Sequence, residues 1–161
     1  MKSCVVIGMG RFGREVARRL CEFGCEVLAM DLHSELIQQI SGEVTHAVVA
    51  DAKDKEVLRT LDVQDFDCAI VAVGDNLADS VLTTMNLKEL NVPYIVCKAR
   101  DETHRQELEK LGADRVVIPE QENAVRLARS LSSPNVLDYI ELSDEYGIVE
   151  TPTPRRWIGK T

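Results

Sequence analysis

The chain has 161 residues, 45% hydrophobic and 29% charged, with a formal net charge of -8 and a pI near 4.9. That length suits one domain with a sizeable core, and no stretch approaches the roughly 20 apolar residues of a membrane span. The acidic balance, with no run of Lys or Arg longer than two, argues against nucleic acid and anionic lipid as partners.

Aromatics make up only 4%, so the core must come from Val, Leu, Ile and Ala, as in a parallel sheet buried between helices. Residues 4–8 read as a buried strand. A helix is expected over 11–23, with Phe12, Val16, Leu20 and Phe23 at the three- and four-residue spacing of one face and Gly24 as its stop. Strand 26–31 follows, then a helix over 35–40 with Ser34 as N-cap. Next come strand 46–51, a short helix at 54–61 and the most apolar strand, 68–73. A helix over 77–90, strand 94–99, helix 103–111 and strand 115–118 complete the alternation, and a last helix covers 123–131. Short strands are expected at 136–140 and 148–150, before the linker-like Thr151-Pro152-Thr153-Pro154.

Six strands alternating with helices predict an α/β, doubly wound, parallel six-stranded sheet of the Rossmann type, with a C-terminal crossover helix and arm. The expected organisation is a nucleotide-binding domain over 1–133, a crossover arm over 134–150, and a linker over 151–161 that either begins a second domain or docks elsewhere. Apolar Val125, Leu127, Leu131, Val136, Leu137 and Ile140 are too many for a solvated tail. Cys4, Cys68 and Cys97 fall in core strands, and Cys21 and Cys25 lack zinc-ligand spacing, so all five read as reduced structural thiols.

Gly8-Met9-Gly10-Arg11-Phe12-Gly13 lies just after the first strand and opens the first helix. Gly8 allows the tight turn, Gly10 lets the backbone approach a phosphate, and Gly13 lets the helix pack on the sheet. Asp31, at the end of the second strand, is placed to accept from ribose hydroxyls and to repel a 2′-phosphate. Arg11 sits on the first helical turn, where a cation is disfavoured unless an anion lies nearby. Asp51-Ala52, Gly74-Asp75-Asn76 and Lys98 fall at strand C-termini, where ligands bind in such sheets. Asp51 and Asn76 serve equally well as helix N-caps, and Glu120 as a first-turn carboxylate.

Catalytic equipment is missing from the pattern. His33, His46 and His104 stand with no nucleophile or carboxylate in a recognisable arrangement. Tyr94 and Lys98 match a YxxxK spacing, but they fall on an expected strand, where i and i+4 do not share the geometry of a helix face.

The run Val-Ile-Gly-Met-Gly-Arg-Phe-Gly, Glu-Val-Leu-Ala-Met-Asp, Thr-His-Ala-Val-Val-Ala-Asp-Ala and Leu-Gly-Ala-Asp-Arg-Val-Val-Ile-Pro-Glu resembles the regulator of potassium conductance (RCK/KTN) family. The likeness covers residues 1–150 and is of the KtrA/TrkA type; it implies that 134–150 is a dimerisation arm and that 151–161 opens a missing or truncated C-terminal lobe. It implies a cytoplasmic, nucleotide-sensing, gating-ring subunit of a potassium channel or transporter, peripheral at the inner membrane face and not an enzyme. ATP/ADP or NAD(H) would be the ligand. Partners would be a second copy of the chain, dimers assembling into an octameric ring, and an integral-membrane potassium-translocating subunit. Carried across by position, Gly8, Gly10, Arg11, Phe12 and Gly13 would form the phosphate loop, with Arg11 facing the γ-phosphate. Asp31 and Leu32 would border the ribose, Asp51 and Ala52 the adenine, and Val73, Gly74, Asn76 and Lys98 the rest of the pocket. Glu120 matches a position that holds a divalent cation between subunits. Alternatives are a small NAD-dependent oxidoreductase, or a subunit of one, and the regulatory domain of a potassium efflux antiporter.

Overall fold

A computed structural model describes residues 2–73, 76–132, 138–141 and 147–150. Gly74 and the expected linker at 151–161 lie outside the described residues. Two units divide the chain, Met1–Ile118 and Pro119–Thr161.

The first unit alternates as expected: β1 Ser3–Ile7, α1 Arg11–Glu22, β2 Glu26–Asp31, α2 Ser34–Ile40, β3 His46–Val49 and α3 Lys55–Thr60. A single 3-10 turn at Val63–Asp65 leads to β4 Cys68–Val71, α4 Leu77–Glu89, β5 Ile95–Lys98, α5 Glu102–Lys110 and β6 Arg115–Val117. The six strands form one sheet in the order β3-β2-β1-β4-β5-β6, every neighbouring pair parallel. The chain therefore winds outward from β1 in one direction and from β4 in the other. The crevice between β1 and β4 is the topological switch point, where ligands bind in open α/β sheets.

Strand alternation sends side chains to two cores. Val5, Ile7, Met30, Val71, Leu58, Leu87 and Leu108 fill one face, beneath α3, α4 and α5. Cys4, Val6, Val27, Ala17, Ile37 and Ile40 fill the other, beneath α1 and α2. β1 and β4 are buried on both faces, which is why their sequences read as unbroken aliphatic runs.

Several boundaries differ from expectation. Ser34 is not the N-cap of α2: His33 holds that position in extended backbone, and Ser34 is the first helical residue. Phe23 does not belong to the buried face of α1. The helix stops at Glu22, and Phe23 stands 80% exposed on the turn before Gly24, while Gly13 and Ala17 form the buried ridge. Small residues win there because they let the helix axis approach the sheet.

The second unit holds α6 Pro119–Ser132 and the antiparallel pair β7 Asp138–Glu141 and β8 Gly147–Glu150. α6 begins four residues earlier than expected, at Pro119, whose fixed φ suits a first helical turn. No residue of α6 is buried, and Val125, Leu127 and Leu131 are largely exposed.

Candidate functional site

The glycine loop, residues 8–13, carries three distinct constraints. Gly8 has φ +99°, and a Cβ there would meet the Ala72 carbonyl carbon and Val73 Cγ1 at 3.0 Å. A Cβ on Gly13 would lie 1.8 Å from the Gly8 carbonyl oxygen, so no side chain fits. Gly10 is the opposite case: a Cβ would meet nothing within 4 Å. Two glycines close the loop against β4 and against itself, and the third leaves its outer side open to an approaching group.

That open side is the N-terminal end of α1. Gly10 is the N-cap, no side chain among the described residues caps the helix, and no acidic residue stands in its first turn. Backbone amides and the positive end of the helix dipole are left for an anion from elsewhere. Arg11 is exposed on that turn and has no ion-pair partner among the described residues. Lys98, the last residue of β5, lies with Nζ 5.8 Å from the centre of the Phe12 ring. The ring thus links the glycine loop to β5 across the mouth of the crevice.

Asp31 closes the other side. Its Oδ2 accepts from Met9 N–H at 2.7 Å, and its Oδ1 accepts from His33 N–H at 2.8 Å and faces His33 Nδ1 at 2.9 Å. Burial pushes this carboxyl up, but the Met9 and His33 amides and the His33 ring outweigh it and hold the group below the ordinary Asp value. Leu32, beside it, is half exposed.

β3 is tied to the same edge, since Ala50 N–H donates to the Asp31 carbonyl at 3.0 Å. Beyond it, Asp51 Oδ1 accepts from Lys53 N–H at 2.9 Å and closes a local turn. Ala52 is buried. Asn76 is the N-cap of α4, its Oδ1 accepting from Ala78 N–H at 2.9 Å. Val73 packs at the Gly8 turn. Sequence reasoning missed Asn86, whose Nδ2 donates to the carbonyls of Ala52 at 3.2 Å and Lys53 at 2.9 Å. It fixes the loop after β3 from α4, a contact between elements far apart in the chain that no local motif announces.

The site therefore gathers Gly8, Gly10, Arg11, Phe12 and Gly13 with Asp31, Asp51, Ala52, Val73, Asn76 and Lys98 along the C-terminal edge of one sheet. Glu120 lies in the other unit, on the first turn of α6. Among the described residues no group of three or more His, Cys, Asp or Glu gathers as metal ligands, at Glu120 or elsewhere.

Tyr94 precedes β5 and Lys98 ends it, so the YxxxK pair is on extended backbone as expected. No helix among the described residues is long and apolar enough to cross a membrane.

The chain matches the TrkA-N domain over residues 4–119. It is 45% identical over 160 residues to the Ktr system potassium uptake protein A of Bacillus subtilis (strain 168), covering 99% of this chain and 72% of that protein. In structure it is similar to the NAD(P)-binding domain of an exopolyphosphatase-related protein from Archaeoglobus fulgidus, at TM-score 0.72 and 23% identity, covering 82% of this chain and 98% of the other. It is also similar to the Shewanella denitrificans Kef CTD in its AMP-bound form, at TM-score 0.68 and 23% identity, covering 82% of each chain.

Proposed function

The chain belongs to the TrkA-N domain family, and on that footing we propose that it is the nucleotide-sensing regulatory subunit of a potassium uptake system, with no catalytic step of its own. The observation that carries this reading is the N-terminus of α1, which has no acidic residue in its first turn and no side-chain cap among the described residues, opening beside a glycine that leaves space in front of it. Such an end takes a phosphate group. Arg11 supplies a side-chain cation for a terminal phosphate, and Asp31 supplies an acceptor for a ribose. ATP/ADP or NAD(H) fits these three features together, and a 2′-phosphate does not.

A nucleotide bound there bridges β1, β2 and β5, so exchanging one nucleotide for another changes how these strand ends are held. The coupling to ion flux requires only that two nucleotides favour different arrangements of an assembly. The partners in this reading are further copies of the chain, as a dimer and an octameric ring, and an integral-membrane potassium-translocating subunit that keeps the ring at the cytoplasmic face. A divalent cation at Glu120 would need ligands from a second copy.

Thermal unfolding of the purified chain with ATP, ADP, AMP, NADH and NADPH tests the reading. A ligand at a hundred times its dissociation constant adds about 2.7 kcal/mol to the folded state. ATP, ADP or NADH should raise the midpoint, NADPH should not, and Arg11→Ala should reduce the ATP effect more than the AMP effect. No shift with any nucleotide, or turnover of a carbonyl substrate with NADH, would overturn it.

A further inference from the structure

The carboxylate of Asp31 has fewer free lone pairs than its place in the site suggests. An ionised carboxylate only accepts hydrogen bonds, at about four lone-pair sites. Met9 N–H takes one on Oδ2, at 2.7 Å, and His33 N–H takes one on Oδ1, at 2.8 Å. His33 Nδ1 stands 2.9 Å from the same Oδ1. Two acceptors would repel at that distance, so Nδ1 carries the proton and donates, which takes the second site on Oδ1. Counting donors among the described residues, one site remains, on Oδ2.

A ribose with free 2′- and 3′-hydroxyls grips a carboxylate through two O–H donors, one to each oxygen. Oδ1 must therefore be released. Met9 N–H cannot release Oδ2 without moving the glycine loop that Gly8 and Gly13 lock in place. His33 N–H is fixed by the N-cap backbone of α2. Only the His33 ring can leave, by rotation about its own side-chain bonds, and that side chain is 74% exposed while the Asp31 side chain is 11% exposed.

We propose that His33 is a ribose latch: its imidazole occupies the Oδ1 acceptor, and a nucleotide with an intact 2′,3′-diol displaces it on binding. The latch rests on the nucleotide reading of this site and adds to it a residue that sets affinity for the ribose. Its cost falls only on ligands that use the diol. A nucleotide lacking both hydroxyls reaches the phosphate loop without opening it.

Isothermal titration of the full chain with ATP and with 2′,3′-dideoxy-ATP separates these cases. Removing the ring frees one acceptor site on Oδ1, so His33→Ala should tighten ATP about three- to tenfold and leave dideoxy-ATP within about twofold. His33→Asn, whose Nδ2 mimics Nδ1 as a donor, should bind ATP as the unsubstituted chain does. Weaker ATP binding in His33→Ala, an equal change for both nucleotides, or an Asn variant that behaves like Ala would overturn the latch while leaving the nucleotide site standing. Absence of binding by both nucleotides in the unsubstituted chain would instead remove the nucleotide reading, and the latch with it. Unchanged far-UV circular dichroism and unfolding midpoint in both variants would exclude a folding effect as the source of any difference.

Discussion

Met9 N–H donates to Asp31 Oδ2 at 2.7 Å, so the carboxylate proposed for a ribose ties the glycine loop to the end of β2. Asp31→Ala therefore removes two things at once. The Met9 and His33 amides lose their acceptor, and hydrogen bonds to a charged group are worth about 1.5–3 kcal/mol each. Denaturant titration at neutral pH should show a loss of at least that size, accompanied by loss of nucleotide stabilisation. Asp31→Asn keeps an acceptor and should recover part of the stability without the binding. A fully stable Asp31→Ala chain would show that the loop holds itself.

The same contact has a pH signature. The folded value of Asp31 is below its ordinary 3.8 because hydrogen bonds outweigh burial, so its contribution is complete above the ordinary value. It is lost only as pH falls through the lower folded value. Between pH 5 and 7 Asp31 should give no slope to stability, and Asp31→Asn should flatten the acid limb alone.

Gly10 and Gly13 make opposite predictions from the same substitution. Gly13→Ala would place a carbon 1.8 Å from the Gly8 carbonyl, so the loop must open or α1 must shift. Strain of this kind costs about 1–3 kcal/mol or more, and the unfolding midpoint should fall by several degrees. Gly10→Ala meets open space. Its stability without nucleotide should stay within about 1 kcal/mol of the parent, as expected where only glycine's propensity changes, while stabilisation by ATP should be lost because the methyl would stand where the proposed phosphate approaches. Equal losses of stability in both would refute the division of roles.

His104 is buried between α4 and α5, with Arg100 N–H donating to Nδ1 at 3.1 Å and Nε2 2.7 Å from Ser80 Oγ. Since Nδ1 accepts, Nε2 carries the proton and donates to Ser80, whose Oγ donates onward to the Leu77 carbonyl at 3.1 Å. Burial lowers the His104 value and outweighs Asp101, which raises it, while Arg100 lowers it further. The unfolded chain thus takes the proton first, and stability must fall as pH drops below the ordinary value of 6.5. His104→Gln should remove that slope between pH 7 and 5 in thermal unfolding. Asp31 is silent over this range, so the two groups are separable.

The fold and the glycine turn after β1 were legible in the sequence because their causes are local. Aliphatic runs, glycine spacing and a carboxylate at a strand end all act within about thirty residues. What escaped was set by packing across the fold. Phe23 satisfied the helical spacing and still points out, because the close approach of α1 to the sheet needed Gly13 and Ala17. Asn86 looked like an ordinary helix residue until α4 was brought beside the Ala52 carbonyl. His33 read as a polar turn, since only the geometry shows its ring and its amide sharing one oxygen.

The exposed side of α6 sets the last prediction. Leu127 and Leu131 lie four apart on one helical face and are 60% and 73% exposed, and Val125 is 45% exposed. Single exposed apolar side chains are ordinary, but a helix that buries none of its residues and still carries such a stripe is unexplained in one copy. A second copy of the chain covering this face would account for it, which extends the proposed dimer contact to α6. Leu127→Asp with Leu131→Asp places two charges where a dimer would exclude water, at a cost far above that of two rim contacts. Light scattering at micromolar concentration should report a dimer or larger for the parent and a monomer for the variant. Nucleotide stabilisation of the first unit should survive, because the glycine loop and Asp31 lie wholly within residues 1–118. A parent that is monomeric at high micromolar concentration would leave the stripe without this partner and end the dimer reading.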